Sequence, residues 1–322
     1  MTEPFDDIPM RQDMQVVAFY NVENLFDLKN NKFKHDNDFL PRSIKKWTPK
    51  RYQNKLRKIG YAISNIGRRE TGKHPALVGL SEVENATVLK DLIASKHLKA
   101  CNYSYILFDS KDERGIDVAL LYDTKVFKVT HSEAFTIALT DLDGSEDYTR
   151  DVLLVSGILE NENVHIIVNH WSSRREGQKE TELKRLASSK KVSDIIETLK
   201  KENEDAKILV LGDFNDTPQN ISIKRLVDNY GLYNPMETLR SFTRGSVKHR
   251  RQWFVFDQIL VSTNFFKSSK NEFEFYKANI FDEDFLKLFK GPFKGSPYRT
   301  YAGPKYIGGY SDHFPVYIIL KK

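Results

Sequence analysis

Residues 209–216 have the sequence LVLGDFND, in which an apolar run stops at Gly212 and is followed by Asp213 and Asn215. A short, almost continuous apolar run is typical of a strand that is buried on both faces of a sheet. Such a strand delivers a carboxylate and a carboxamide, two residues apart, at its C-terminal end. This arrangement favours a phosphate or metal site, although one strand end alone is not specific.

Other apolar runs of the chain also end in polar residues. Near the C-terminus the polar triplet at 311–313 stands directly before the apolar run at 314–320. These positions are spread over most of the chain, so they can meet only if several strand ends converge on one mouth of the fold, where loops usually carry function. The candidate positions are Asn21, Glu82, His170, Asp213, Asn215, Asp257, Asp312 and His313.

Two long helices are predicted from hydrophobic periodicity. From residue 50 to about residue 66, apolar residues recur at three- and four-residue steps, which predicts an amphipathic helix with Lys55 on a polar face. Residues 179–201 form the second helix, with Leu183 among its inward residues.

The strand pattern predicts the fold class. Residues 103–108 pair with 116–122, residues 126–137 extend that sheet, and residues 152–159 pair with 164–168. A purely parallel doubly wound sheet would lack these hairpins. Two stacked sheets with helices on their outer faces fit the order of elements better.

Composition is that of an ordinary globular protein: 322 residues, 40% hydrophobic and 29% charged. The chain has no internal repeat, low-complexity tract or dividing linker, so we expect a single domain over residues 1–322 with its core at about 15–320. The formal net charge is +6 and the pI is about 9.0. This excess favours a polyanionic partner only weakly, because the same excess is often just a solvated surface.

A single cysteine, Cys101, excludes an intramolecular disulfide and a thiolate zinc cluster. No stretch approaches the roughly 18 consecutive apolar residues of a membrane span, and the N-terminal sequence lacks an apolar signal core. As written, the chain is expected to be cytoplasmic. It would be secreted or periplasmic if a signal peptide had been removed.

Six segments in order resemble the motif set of the endonuclease/exonuclease/phosphatase superfamily, which includes pancreatic deoxyribonuclease, abasic-site nucleases, sphingomyelinases and inositol polyphosphate 5-phosphatases. The segments are YNVENLF at 20–26, LSEVEN at 80–85, VNHWSSR at 168–174, LGDFND at 211–216, FDQILVS at 256–262 and YSDHFPV at 310–316. The resemblance implies an α/β fold: a four-layered sandwich of two mainly antiparallel sheets packed face to face, with helices outside. It also implies a divalent-metal phosphoesterase site between the sheets.

The residue types suit that chemistry. Asn, Glu and Asp offer hard oxygen ligands for Mg²⁺, with Mn²⁺ or Ca²⁺ as alternatives, and the chain has no Cys or multi-His cluster for zinc. Glu82, with Asn21, is the expected metal anchor. By the resemblance, Asp312 completes the set of ligands.

The resemblance also assigns the catalytic roles. Asp213 would orient or deprotonate the attacking water, and Asn215 would hydrogen-bond that water or the phosphate. His313 would contact the scissile phosphate as an imidazolium supported by Asp257. His170 matches the branch of the family with histidine in this motif, and it would be a second phosphate ligand or an acid.

Three further positions are weaker candidates. Glu23 lies where some relatives carry a metal-ligating acid, and Asp117 follows Arg114 at a strand start, where it can position the site. Ser81 stands where the family usually has glutamine, which puts a supporting hydrogen bond in doubt rather than the metal.

Each residue also has a structural explanation. Asp213 and Asn215 can form an Asx turn, His313 can be a buried boundary histidine, and Glu82 can cap the following helix. The arginine-rich run at 240–251 is either a solvated face or a border of the site that grips phosphates. The aromatic loop at 298–310 either stacks on a base or packs.

Three functions follow, in order of preference. The first is a metal-dependent phosphodiesterase that acts on nucleic acid as a DNase-like endonuclease. The second is a phosphatase or phospholipase C-type esterase acting on inositol phosphates or lipids by the same mechanism, for which residues 281–293 are a weak candidate membrane loop. The third is a binding protein that keeps the fold without turnover. No protein partner is inferred.

Overall fold

The computed structural model describes residues 8–140, 144–249, 251–267, 269 and 271–322. The helices are α1 Pro49–Asn65, α2 Arg68–Thr71, α3 Ala86–Ile93, α4 Glu182–Glu202 and α5 Ile221–Tyr230, with 3₁₀ turns at Asn37–Phe39, Pro235–Leu239, Thr263–Phe266 and Asp284–Leu286. The strands are β1 Met14–Leu25, β2 Leu77–Val83, β3 Tyr103–Leu107, β4 Asp117–Asp123, β5 Phe127–Phe135, β6 Leu139–Thr140, β7 Glu146–Asp147, β8 Val152–Leu159, β9 Glu162–His170, β10 Lys207–Asp213, β11 Leu232–Tyr233, β12 Val247–His249, β13 Gln252–Phe254, β14 Asp257–Ser262, β15 Glu274–Ile280, β16 Tyr301–Ala302, β17 Lys305–Tyr306 and β18 Val316–Lys321.

Two six-stranded sheets form the centre of the molecule. The first has the strand order β15-β18-β1-β2-β4-β3, and the second has the order β11-β14-β10-β9-β8-β5. All neighbouring strands in these two sheets are antiparallel except the central pair of each, β1 with β2 and β9 with β10. The helices that connect these parallel pairs, α1 and α4, are the long helices expected from the sequence.

The helices complete a four-layered α/β sandwich. α1, α2 and α3 contact one another or strands of the first sheet, and α4 and α5 contact one another and strands of the second. One buried apolar cluster joins the facing sides of the two sheets, and a second lies between the second sheet and its helices. The predicted fold class is therefore confirmed. Within the described residues, none of the helices is long and apolar enough to cross a lipid bilayer.

Three details of the sequence prediction are wrong. Residues 126–137 do not extend the sheet of β3 and β4, because β5 pairs with β8 at the edge of the second sheet. Leu183 is 76% exposed and Arg185 is buried instead. Lys55 is also buried, at 1% exposure. Thus α1 buries Lys55 and α4 buries Arg185. Each of these cations is tolerated because it has a polar or charged partner inside the protein.

The two sheets approach closely at Gly79 of β2. A Cβ atom on Gly79 would lie 2.3 Å from Leu211 Cδ1 of β10 and 3.1 Å from Phe19 Cδ2. No side chain larger than hydrogen fits between β2 and β10 at this point without displacing its neighbours. Gly79 thus leaves the space that the Leu211 side chain fills between the two sheets.

We predict that Gly79→Ala lowers the free energy of unfolding by about 1–3 kcal/mol, because the added methyl group overpacks the contact between the sheets. Urea denaturation measures the change. In a Leu211→Ala background the same substitution should cost much less, because its nearest obstacle is gone. An equal penalty in both backgrounds would contradict this packing.

Candidate active site

The strand ends named from the sequence meet at one edge of the sandwich. In the second sheet Asp213 pairs across the ladder with His170 of β9 and with Asp257 of β14. In the first sheet Asn21 of β1 pairs with Ser81 of β2, next to Glu82. Because the C-terminal ends of parallel strands lie at the same edge of a sheet, each central pair delivers its polar residues together.

A hydrogen bond joins the two halves of the site. Asn21 Nδ2 donates to Asp213 Oδ2 at 3.0 Å, between the first sheet and the second. The Ser311 hydroxyl donates to the Asn21 carbonyl oxygen at 2.6 Å. This bond fixes the segment that carries Asp312 and His313 to the end of β1.

Asp213, Asp257 and His313 form a buried charge cluster. His313 Nδ1 lies 2.7 Å from Asp257 Oδ2, and His313 Nε2 lies 3.9 Å from Asp213 Oδ2. Burial opposes the imidazolium charge, yet the carboxylates of Asp257 and Asp213 hold the pKa of His313 well above its ordinary value. The ligand atoms of the three residues lie within 4.8 Å of one another, but a protonated imidazole offers no lone pair to a metal. Without a bound metal, the three residues form an ion-paired group.

Asp213 is held on both sides. Its Oδ1 accepts a hydrogen bond from the backbone N–H of Asn215 at 3.0 Å, while Oδ2 faces Asn21. Burial raises the pKa of Asp213 to about 6, although His313 acts in the opposite direction. The Asn215 bond is the Asx turn that the sequence allowed as a structural explanation. That turn and a position in the site are therefore compatible.

His170 differs from His313. It is buried, its Nε2 lies 3.9 Å from Asp213 Oδ2, and its Nδ1 has no hydrogen-bond partner. Burial, followed by the positive charges of Arg150 and Arg114, holds the pKa of His170 well below its ordinary value. The site thus pairs one charged and one neutral imidazole around the same carboxylate.

The backbone is distorted where the first sheet meets the site. The β1–β2 ladder changes register between Asn21 and Leu25, and the β2–β4 ladder changes register between Ser81 and Val83. Glu23 and Glu82 have φ angles of 50° and 63°, in the left-handed region that glutamate rarely adopts. Bulges near active sites redirect side chains, and here they turn both carboxylates within the mouth.

Glu82 is bound by its neighbours rather than by α3. Its Oε2 accepts from the backbone N–H of Asn24 at 2.8 Å, and Arg114 Nη2 lies 3.7 Å from its Oε1. Asn85, not Glu82, caps α3. Asp117 accepts from the backbone N–H of Ser110 at 3.0 Å, which anchors the loop that carries Arg114.

Two cations that sequence reasoning missed face the acidic residues of the first sheet. Lys55 Nζ bonds to Thr300 Oγ1 and to the Tyr310 carbonyl oxygen, both at 2.6 Å, and lies 3.8 Å from Glu23 Oε2. Arg299 Nη2 lies 2.8 Å from Asp312 Oδ2. Burial, reinforced by Asp312, raises the pKa of Glu23. Lys55 was detectable, since it lies three residues after Tyr52 and four before Ile59, on the apolar stripe of α1. Arg299 carried no signal.

The donors around this acidic group fit a hard divalent cation. Glu23, Glu82 and Asp312 all act on the charge of Lys55, and the carboxamide oxygen of Asn21 accepts a hydrogen bond from the backbone N–H of Glu23 at 2.9 Å. The set contains only oxygen donors, which Mg²⁺ and Mn²⁺ prefer. Among the described residues, the group whose ligand atoms lie within 4.8 Å of one another is Asp213, Asp257 and His313, so a cation held by Asn21, Glu82 and Asp312 stays a prediction from the sequence.

The arginine-rich run borders the site. Val247 bridges to His313, and the backbone N–H of Phe314 donates to the Ser246 carbonyl oxygen at 2.7 Å. Arg244 is engaged by Asp282 at 2.7 Å, whereas Arg240 and Arg251 are exposed. Arg250 of this run lies outside the described residues. In the aromatic loop Tyr301 and Tyr310 are buried, so these two rings pack rather than stack on a base.

We predict that in metal-free protein at pH 7 the His313 ring carries both protons and the His170 ring carries one. Ring ¹⁵N shifts measured by NMR across a pH titration check this, with His313→Gln and His170→Gln for assignment. Asp257→Asn should move the His313 pKa downward.

The sign for stability follows from the raised pKa of His313. The ion pairs of His313 contribute their full stabilising free energy below about pH 6.5, which is the pKa of histidine in the unfolded chain. This contribution is lost as the pH rises through the higher pKa that His313 has in the folded protein. A neutral His313 ring at pH 7 would contradict the ion-paired cluster.

Comparison with known proteins places this chain in a family. Residues 16–322 match the family model described as endonuclease/exonuclease/phosphatase family, whereas no curated protein matches the sequence. A family protein from Bacteroides thetaiotaomicron is 18% identical with a TM-score of 0.60, covering 95% of this chain and 97% of that one.

Two further structures share the fold. TDP2 from D. rerio, solved with a single-strand DNA product, is 14% identical with a TM-score of 0.58, covering 97% of this chain and 100% of that one. A mannosyl-6-phosphatase from Bacteroides thetaiotaomicron is 17% identical with a TM-score of 0.57, covering 96% and 100%. At these identities the structures support the fold alone, and the match over residues 16–322 decides the family. The chain belongs to the endonuclease/exonuclease/phosphatase family.

Proposed function

We propose that this chain is a divalent-metal-dependent phosphodiester hydrolase that acts on nucleic acid, with an endonuclease-like mode. The observation that carries the proposal is the position of Asp213. Its carboxylate is fixed by Asn21 and Asn215, and two imidazole nitrogens lie 3.9 Å from its Oδ2. A fixed, buried base between two phosphate-binding groups is suited to activating a water for attack on phosphorus.

Asp213 takes the proton of the attacking water. Its pKa, raised by burial to about 6, leaves it mostly ionised near neutral pH and makes it a stronger base than an exposed aspartate. Asn215 lies two residues further and its Nδ2 donates to the Trp171 carbonyl oxygen at 3.0 Å. Its remaining carboxamide oxygen can accept a hydrogen bond from the same water.

The two histidines bind the phosphate in different ways. His313, kept cationic by Asp257, offers an N–H and a positive charge to the oxygens that gain negative charge during attack. His170 is neutral, so it donates a hydrogen bond but is poorly suited to supplying a proton. Of the two roles expected for His170, ligand and acid, the ligand role is the one we propose.

Asn21, Glu82 and Asp312 would hold the cation, and Glu23 would support them from within the buried pair with Lys55. A divalent cation bound there supplies positive charge to the phosphate and to the departing oxygen. The guanidinium of Arg299 offsets the negative charge of Asp312. Arg114 and Asp117 position Glu82 and its neighbouring loop.

Cationic residues at the border of the site support nucleic acid as the substrate. Arg240, Lys248 and Arg251 lie on or beside the β12–β13 hairpin, whose first strand contacts His313. The cationic side chains there can grip phosphates that flank the scissile one. The structural likeness to TDP2 solved with a DNA product is consistent with this choice.

A phosphatase or lipid esterase is the second candidate. The likeness to a mannosyl-6-phosphatase supports a small phosphoester. Phe289 and Phe293 are 69% and 55% exposed in the loop first considered as a membrane contact, which supports a lipid. A binding protein without turnover is a third candidate, and the filled positions around Asp213 argue against it.

The decisive experiment assays plasmid DNA, single-stranded DNA, RNA, an inositol phosphate and a phosphate-containing sphingolipid with Mg²⁺ and with EDTA. We expect cleavage of nucleic acid with Mg²⁺ only. Asp213→Asn should reduce kcat by roughly 10²–10⁴-fold in protein that still folds, since it removes the base but keeps the shape. The Tm should fall only in part, because Asp257 still faces His313.

Asp228→Asn on the exposed face of α5 is the matched control and should be fully active. Hydrolysis of only the inositol phosphate or the lipid would transfer the proposal to the second candidate. Inactivity on every phosphoester, unchanged in Asp213→Asn, would support the binding protein.

We also predict that replacing Arg240, Lys248 and Arg251 together by Gln raises KM for DNA and reduces the slope of log KM against log salt concentration. The slope should fall by roughly 2–3 if all three side chains contact phosphates of a duplex. Cleavage of a small phosphodiester should not change. Lys99, Lys128 and Lys224, all exposed and away from the site, replaced by Gln, give a control with the same loss of charge. Equal salt slopes for the two triple variants would remove the hairpin from substrate binding.

A further inference from the structure

A second cavity lies at the opposite end of the first sheet. It has a volume of about 890 Å³ and is bordered by the start of β1, the end of α1, α2, the loop after α3 and the end of β4. This volume is within the range of small-molecule sites in proteins, roughly 300–1,000 Å³. Gln15 of β1 lines the cavity, whereas Asn21 of the same strand lies in the candidate active site. Six residues of extended strand place the two about 20 Å apart.

The charge of the lining is unlike that of the whole chain. The chain has 50 Lys and Arg against 44 Asp and Glu, but the cavity is lined by four cationic side chains and one carboxylate. That carboxylate, Asp123, is engaged by His74 Nε2 at 2.9 Å. The cationic residues are Arg68, Lys73, Lys96 and Lys125.

Nearby carboxylates outside the lining are engaged elsewhere. Asp13 pairs with Arg11 at 3.4 Å. Glu160 accepts from Gln15 Nε2 at 2.6 Å and also binds the Lys322 ammonium. These carboxylates have other partners, and the lining itself holds more cationic than anionic side chains.

Lys73 lines the cavity. Its side chain is half-buried, and within the described part of the chain its ammonium has no ion pair and no hydrogen bond. Burial lowers the pKa of Lys73, with Glu160, Asp13 and Asp123 acting weakly in the opposite direction. A half-buried ammonium that faces a cavity without a partner is stabilised by an anion in that cavity.

The rest of the lining suits a compact organic molecule. The rings of Tyr61 and His97 stack edge to face with centroids 5.0 Å apart and form one wall. The buried Asn65 lies beside them and bonds to the Tyr61 carbonyl oxygen at 2.8 Å. Flat rings and amides complement a planar group, while the lysines complement a phosphate.

We propose that this cavity binds a small phosphorylated molecule with a planar ring, of the nucleoside monophosphate class. The concave shape favours a single small molecule over a nucleic-acid chain, which would need an open groove. Lys73 and Lys125 bind the phosphate, and the wall of Tyr61 and His97 contacts the ring. The site is separate from the candidate active site and does not depend on the proposed function.

The test uses the full chain with AMP as the probe and EDTA in the buffer, and it measures binding by isothermal titration calorimetry. We expect Lys73→Met/Lys125→Met to weaken AMP binding at least about tenfold, because two charged contacts to the phosphate are lost. Methionine keeps the length of each side chain, so the fold should persist and activity on phosphoesters should be unchanged. Lys201→Met/Lys224→Met removes two exposed lysines on α4 and α5 that do not line the cavity, loses the same charge and should bind AMP normally.

The location of the bound probe has a second readout. AMP should shift the backbone amide NMR signals of Gly72 and Asn102, which line the cavity, and leave that of Asn215 in place. Adenosine, which lacks the phosphate, should bind much more weakly than AMP.

Three results would overturn the proposal. One is AMP binding that is equal in the two double variants. Another is adenosine binding as tightly as AMP, and the last is the absence of any binding at millimolar AMP.

Discussion

The central parallel pair of each sheet is the constraint on which the site depends. In sheets that are otherwise antiparallel, β1 with β2 and β9 with β10 each require a crossover, and α1 and α4 lie in those connections. The same crossovers place the ends of both pairs at one edge of the sandwich. Asn21, Glu82, His170 and Asp213 therefore converge, although they lie far apart in the chain.

Burial of so many charged groups is tolerated because nearly every one has a partner. Asp213 and Asp257 surround the cationic His313, and Glu23 and Asp312 are faced by Lys55 and Arg299. Removing one member of such a pair leaves an uncompensated charge, which costs more than the pair contributes. The cations missed in the sequence are thus part of the same balance as the acids that were found.

Much of this arrangement was predictable from strand ends. Each of the six motifs joins a buried apolar strand to polar residues at one of its ends. Such polar residues are expected where strands end and the loops begin. The pairing of β5 was not predictable, because alternation shows that a segment is a strand but not which strand is its neighbour. Arg185 and Lys55 were misplaced because a cation on a helix was expected to face solvent. Arg299 was invisible because only the folded loop brings it to Asp312.

The hydrogen bond from Asn21 to Asp213 crosses the seam between the sheets. Neither sheet alone carries all the residues of the candidate site, so the proposed chemistry requires the two sheets to be aligned to within the length of one hydrogen bond. A small shift of one sheet over the other would abolish this activity even if every strand stayed intact. In such a fold activity depends on a more exact geometry than folding does. Ageing or heating would therefore reduce activity before the protein unfolds.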